Sequence, residues 1–285
     1  MKGWLIVNNF VSSEKSRTMW SMFIASAEKC GIELELKRTG ELCLPIGEDF
    51  GALPDFALFW DKDIHLAARL ESKGLRLFNS SRAVELCDNK VLTYMELEKY
   101  SVPYPLTFAS PKTYPSIGYS NINFAQKATE RLGYPLVIKE AYGSFGQQVY
   151  LVSCREELSA VVRRIGSGEF VMQRFVSGSR GRDVRVNVVG DRAVASIYRY
   201  NDNDFRSNIS NGGKMQPYEI NKQQEEIAVA ACKALGLDFG GVDLLFDGEE
   251  YTVCEVNSNP HFRSTYDCTG VDVSEYILRY IGESL

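Results

Sequence analysis

Short apolar runs and helical repeats alternate along the first third of the chain. Residues 3–8 (GWLIVN) predict a buried strand, and residues 14–30 place their apolar positions at helical spacing until Gly31 stops them. Residues 32–37 (IELELK) alternate, 55–60 (DFALFW) are apolar, 66–71 are helix-like, and 75–78 form another short run. This order predicts an open α/β unit. No Gly-x-Gly-x-x-Gly follows the first strand, so a dinucleotide site of the Rossmann type is not expected there. His65, with no second ligand nearby, reads as a surface or capping residue.

The pattern then changes. Asn79-Ser80-Ser81 offers an N-cap to a helical run containing Asn89 and Lys90, and Ser101-Val102-Pro103-Tyr104-Pro105 breaks it. A domain boundary is expected near residues 80–105. Residues 111–120 read as loop and 123–132 as helix, and Gly133-Tyr134-Pro135 leads into the strand 136–140 (LVIKE). Residues 149–152 and 170–176 are further strands, and 183–198 read as a hairpin turning at Gly190-Asp191. The stretch 201–213 (NDNDFRSNISNGG) is too polar and glycine-rich for a core element and predicts a mobile loop, a candidate lid. Helices at 223–235 and 273–281 flank one last hairpin.

That hairpin, residues 243–257 (DLLFDGEEYTVCEVN), carries three oxygen-bearing side chains. Glu255 and Asn257 are two apart and project from one strand face. A two-residue Asp247-Gly248 turn would put Glu255 on the face opposite Asp243, so a shared site requires a three-residue loop or a bulge. With Gly248 to Glu250 as the loop, Asp243 falls opposite Glu255. Hard oxygen donors suit magnesium, whose remaining positions are usually filled by water and phosphate oxygens. Solvated turn residues are the ordinary alternative for acids near a hairpin.

Composition narrows the class. The chain has 285 residues, 45% hydrophobic and 24% charged, enough for a sizeable core in two or three lobes. A net charge of −5 and a pI near 5.3 argue against nucleic acid or an anionic membrane surface as partner. The seven cysteines are scattered without a Cys-x-x-Cys pair, as expected of reduced thiols in a cytoplasmic protein. No signal-peptide core or membrane-length apolar stretch is present.

Candidate chemistry gathers in the middle. Lys139 sits within an apolar strand, a costly place unless it points into a cleft beside an anion. The following turn, residues 143–148 (GSFGQQ), has glycines that let backbone N–H groups approach phosphate oxygens, although such turns are more often only turns. Arg180, Arg182, Arg185, Arg199, Arg206 and Lys214 form a local positive field in an acidic chain. Arginine forks suit phosphate and carboxylate groups; a solvated strand face is the alternative.

The ordered set from about residue 79 to 281 resembles the ATP-grasp superfamily, specifically the RimK-like amino-acid and peptide ligases. FRSNISNGG at 205–213 and the spacing of Asp243, Glu255 and Asn257 carry the resemblance. It implies an α/β fold, α+β in its ATP-grasp part: an open α/β pre-ATP-grasp domain (1–85), a central lobe with a glycine-rich flap (86–175) and a C-terminal lobe with the metal site (176–285), the two lobes clasping ATP. By similarity Lys90 and Lys139 hold phosphates, and Gly143, Ser144 and Gly146 belong to the flap. Gln173, Arg174, Phe175 and Val176 face adenine, and Asp183 takes the ribose. Arg206 and Asn208 reach the phosphates and reacting acyl group, with Arg185 beside the acyl phosphate. Asp243, Glu255 and Asn257 carry two Mg2+ ions, for which Mn2+ can substitute. Asn89 stands where many relatives have Asp, and Arg174 where they have an acidic residue.

The resemblance implies an ATP-dependent carbon-nitrogen ligase that works through an acyl phosphate. Glutamate or another amino acid is one expected substrate, and an amino acid, peptide or protein tail is the other. Arg180, Arg182, His261 and Arg263 are candidate substrate contacts; for His261 a structural hydrogen bond is the equal alternative. A regulatory ATP-binding module without ligation is the competing reading, and a homo-oligomer is a candidate assembly.

Overall fold

The computed structural model describes residues 1–143, 146–209 and 212–285. In the first unit β1 (Lys2–Val7), β2 (Glu33–Arg38), β3 (Phe56–Trp60) and β4 (Arg76–Phe78) form a parallel sheet in the order β2-β1-β3-β4. β1 and β3 are central and covered on both faces, which is why they read as unbroken apolar runs. The crossover helices are α1 (Glu14–Lys29), capped by Ser13, and α2 (Ile64–Ser72), capped by Asp63.

The single helical run expected across Asn89 is two helices, α3 (Ser81–Asp88) and α4 (Lys90–Lys99). Asn89 is extended at φ −102° and ψ 111°, and its side chain accepts from the N–H groups of Val91 and Leu92. An asparagine that caps the next helix competes with continuation of the previous one. The Lys90 N–H then donates to Ala141 O at 2.9 Å, bringing Lys90 beside the glycine turn.

The middle unit is an antiparallel sheet, β5-β8-β6-β7, of β5 (Thr107–Ala109), β6 (Leu136–Glu140), β7 (Val149–Val152) and β8 (Phe170–Arg174). With α5 (Asn123–Leu132) and α6 (Arg155–Ile165) it encloses a separate apolar core around Ile138, Leu158 and Phe170. The last unit is the five-stranded antiparallel sheet β11-β10-β9-β12-β13. Its strands are β9 (Arg182–Val189), β10 (Arg192–Tyr200), β11 (Lys214–Pro217), β12 (Phe239–Asp247) and β13 (Glu250–Asn257). The edge strand β11 was not expected; it begins where the polar loop after β10 ends.

Two cores tie this sheet to the rest. α7 (Lys222–Ala234), α3 and α4 pack around Val184, Val186, Val242 and Val256. On the other side α8 (Arg263–Thr269) is followed by α9 (Val273–Ser284), whose Ile277, Leu278 and Ile281 share a core with Leu5, Phe23 and Trp60 of the first unit. Trp60 stacks on Phe239 at 5.5 Å between ring centroids. Asn79 completes this junction: wholly buried, it donates to Phe239 O (2.9 Å) and Ser258 O (3.0 Å) and accepts from the N–H groups of Asp238 (2.7 Å) and Phe239 (3.2 Å). No helix among the described residues is long and apolar enough to cross a membrane.

The β12–β13 hairpin resolves the parity question. Asp247 pairs with Glu250 around a two-residue Gly248-Glu249 turn, so the three-residue loop does not form. The ladder runs regularly to Leu244↔Val253, then β13 gains one residue, and Asp243 falls opposite Glu255. The extra residue is Cys254, and the device is a β-bulge.

Candidate functional site

Strand register assembles the site. On neighbouring strands Asp243 is opposite both Arg185 and Glu255, and Gly241 is opposite both Asn187 and Asn257. Paired residues share a face and every second residue returns to it, so Asp183, Arg185, Asn187, Asp243, Glu255 and Asn257 present one polar face of the sheet. Gly241 is required in its row: a Cβ there would lie 2.6 Å from Pro260 Cβ. The chain after Asn257 can therefore lie directly on the sheet.

Opposite this face stands the middle sheet, and residues of both line the open cleft between them. Of the residues expected to hold ATP, Lys90, Lys139, Gly143, Gly146, residues 173–176, Asp183, Arg206 and Asn208 all line this one cleft, with Asp243 and Glu255 at its floor. Ser144 lies outside the described residues.

Lys139 is only 6% exposed, yet it faces the cleft and not an apolar core. Its Nζ donates to Tyr94 Oη (3.3 Å) and to Cys254 O (3.2 Å), with Cys254 Sγ at 3.4 Å. Tyr94 Oη also donates to Cys254 O, at 2.6 Å. Burial pushes the ammonium toward its neutral form; the nearby Glu255 carboxylate and the acceptors Tyr94 Oη and Cys254 O oppose this, and Lys139 is held as a cation, above the usual lysine range. Lys90 donates to Gly143 O at 3.3 Å and lies 3.6 Å from Glu255 Oε1. Arg206 forks onto Asp204 and donates to Gly146 O at 2.6 Å, so it already bridges to the glycine turn. Gly213 is needed behind it, because a Cβ would come within 2.3 Å of Ser207 O.

Arg174 does not face the cleft with a free charge. Its guanidinium makes a two-pronged contact with Asp247, at the turn end of β12. β8 is thereby joined to the β12–β13 hairpin, and Gln173, whose Nε2 donates to Thr107 Oγ1 at 2.8 Å, is the other polar side chain of residues 173–176.

The acids at the floor can be tested as metal ligands. Asp243 is 3% exposed and accepts from Arg185 Nε, from Arg185 Nη2 at 2.8 Å and from Arg199 Nη2 at 2.8 Å. Burial would raise its carboxyl pKa, and the two arginines more than cancel this, holding it below the usual carboxylate range. A carboxylate offers about four acceptor positions. Three are used, which leaves one for a cation. Among the described residues Glu255 has Lys90 as its salt-bridge partner, and half-buried Asn257 leaves its Nδ2 without a hydrogen-bond partner. Asp243, Glu255 and Asn257 share one sheet face and carry oxygen donors of the kind a hard divalent ion takes, while among the described residues no three His, Cys, Asp or Glu side chains are grouped to hold one.

Of the expected substrate residues, Arg182 lines the cleft while its Nε donates to Gly178 O (2.7 Å). Arg263 pairs with Asp267 one turn along α8 (2.7 Å), and Arg180 is exposed. His261 is half-buried. Burial pushes its imidazole pKa down, with Lys15 and Arg185 adding to the effect. The folded state then takes up this proton at lower pH than the unfolded chain, so the stability is intact above the unfolded value of about 6.5 and is lost as pH falls through the folded value. Urea denaturation should show His261→Gln losing less stability than wild type between about pH 7 and pH 5, by up to about 1.4 kcal/mol per pH unit. Parallel losses in the two proteins would refute the assignment.

Burial pushes the Cys87 and Cys254 thiols up, and Cys232 to about 12, so none is a thiolate at neutral pH. Tyr94, Asn187 and Ser207 were not singled out from the sequence, and Arg199 was named there only as one member of the positive field. The signal for the first three is placement on the same helix, strand or loop as Lys90, Arg185 and Arg206.

The family model described as "RimK-like ATP-grasp domain" matches residues 109–281. Beta-citrylglutamate synthase B of Danio rerio is 34% identical over 254 residues, 85% of this chain and 61% of that protein. Human N-acetylaspartylglutamate synthase A is 33% identical over 223 residues, 77% of this chain and 56% of that protein. The matched segments thus span under two thirds of these two relatives. A RimK domain protein of Sphaerobacter thermophilus described as ATP-grasp superposes with a TM-score of 0.73 at 23% identity, covering 98% of each chain.

Proposed function

Because the chain belongs to the RimK-like ATP-grasp family, we propose that it is an ATP-dependent ligase that joins a carboxylate to an amine through an acyl phosphate. The observation that carries this reading is the meeting, in one cleft, of two lysines, an arginine and an acid pair aimed at the same volume. A cleft built only to bind a nucleotide does not need Arg206, Asp243 and Glu255 together, which disfavours a purely regulatory module. The proposed lobes are residues 1–85, 86–175 and 176–285.

A carboxylate is a poor electrophile; phosphorylation gives it a good leaving group that an amine can displace. In this scheme Lys90 and Lys139 hold phosphates, and Arg206 offsets charge on the transferring group. The hinge residues 173–176 orient the base, and Asp183 retains one acceptor position for a ribose hydroxyl after Arg199 and Ser207 take three. Asp243, Glu255 and Asn257 would hold magnesium, which supplies electrostatic stabilisation of phosphate charge when bound. Arg206, which already reaches Gly146, links the loop after β10 to the glycine turn, and closure of the two would exclude water from the activated acid. Arg185, which is bonded to Asp243, is the residue proposed to face the acyl group.

Glutamate is the proposed amino-acid substrate, supported by the two relatives whose names carry it. The acceptor or acid partner is a small molecule, a peptide or a protein tail. A phosphate-release screen with ATP and Mg2+ over pairs of acids and amines, followed by mass spectrometry, should yield an amide containing glutamate. Tight ATP binding without turnover across the panel would instead favour the regulatory reading.

A further inference from the structure

Arg199 sits at the centre of the buried charge, although its sequence context marks it only as one of several neighbouring arginines. On β10 and 6% exposed, it donates from Nε to Asp183 Oδ1 at 2.7 Å and from Nη2 to Asp183 Oδ2 at 2.6 Å. The same Nη2 lies 2.8 Å from Asp243 Oδ2. Ser207 Oγ, in the loop after β10, donates to Asp183 Oδ2 at 2.5 Å. A continuous buried chain therefore runs from Ser207 through Asp183 and Arg199 to Asp243, where Arg185 meets it from the other side.

Offsetting the charge of two buried aspartates needs only cations, here Arg199 and Arg185. Engaging both at fixed angles needs a planar fork, which lysine lacks. Groups one bond removed from a metal ligand orient it and commonly alter metal affinity strongly. Ser207 also neighbours Arg206, whose guanidinium reaches the glycine turn, so the chain begins at the segment that faces the phosphates.

We propose that Arg199 is a positioning residue that couples the 205–208 segment to the metal clamp, fixing the Asp243 carboxylate and relaying to it, through Asp183, where Ser207 stands. The inference rests on the reading of Asp243 as a metal ligand. It predicts that a hydroxyl two carboxylates away from the metal changes divalent-ion affinity.

The test is Mn2+ titrated alone into the full chain, with bound ion followed by water proton relaxation. Arg199→Lys, which keeps the charge, should weaken Mn2+ binding roughly tenfold to a hundredfold. Ser207→Ala should weaken it in the same direction by less. The double variant should bind no worse than Arg199→Lys alone, because the chain is already severed. Wild-type affinity in either folded variant, or additive losses in the double variant, overturns the coupling. If Arg199→Lys does not fold, Ser207→Ala decides alone. Failure of the wild type itself to bind Mn2+ overturns the metal reading along with the coupling, whereas normal wild-type binding with unaffected variants overturns the coupling only.

Discussion

Glu255→Gln is expected to lower amine-dependent phosphate release by at least about 10²-fold to 10³-fold, the loss typical when one preorganised electrostatic group is removed. The substitution keeps the shape of the side chain and one oxygen, and removes the charge. Glu255 is the clamp acid not held by arginines: Lys90 at 3.6 Å is its salt-bridge partner among the described residues, against Arg185 and Arg199 on Asp243. The fold should therefore tolerate the change, and the melting temperature should move little. Phosphate release at saturating Mg2+, measured beside a thermal melt, separates the effects. Full turnover in a folded Glu255→Gln protein would remove Glu255 from the clamp.

Asn79→Ala is expected to be among the most destabilising single changes, by roughly 3–5 kcal/mol. One wholly buried amide serves two carbonyls and two N–H groups, on the segment entering β12 and the segment leaving β13. Each backbone group deprived of its partner in the interior costs about 1–3 kcal/mol, and alanine supplies none. Urea denaturation of the two proteins measures it. A difference below about 1 kcal/mol would mean that water or a neighbour takes over these bonds, and that the amide is not what joins the first unit to the clamp.

The contrast between Asn79 and Glu255 shows what the chain discloses before it is folded. Glu255, Asn257 and Asp243 are legible because strand parity is a local rule and the hairpin is short. The unbroken runs of β1 and β3 are legible for a similar reason, since a strand covered on both faces has no polar side to show. Lys139 stands out by violating its strand's apolar pattern. Asn79 reads only as part of a helix start, because its partners lie about 160 and 180 residues away and no periodicity connects them. Arg199 is hidden in another way: a run of arginines looks alike in sequence, and only strand register distinguishes the one between two aspartates from those at the rim. Arg174 stands against the family's acidic preference until Asp247 is seen beside it. The split at Asn89 was missed because a good N-cap residue resembles an ordinary polar position inside a long helical run.

The one-residue excess on β13 also determines which changes in chain length this hairpin can accept. Insertions at the exposed Gly248-Glu249 turn lie at the far end of the ladder and leave the pairing of Asp243 with Glu255 untouched. Deleting Cys254 would also leave the two acids facing each other, now in a regular ladder. It would, however, remove the carbonyl on which Tyr94 and Lys139 both converge. Length variation among homologous hairpins is thus expected at the turn and not in the strand, because the surplus residue ties β13 to Lys139 across the cleft.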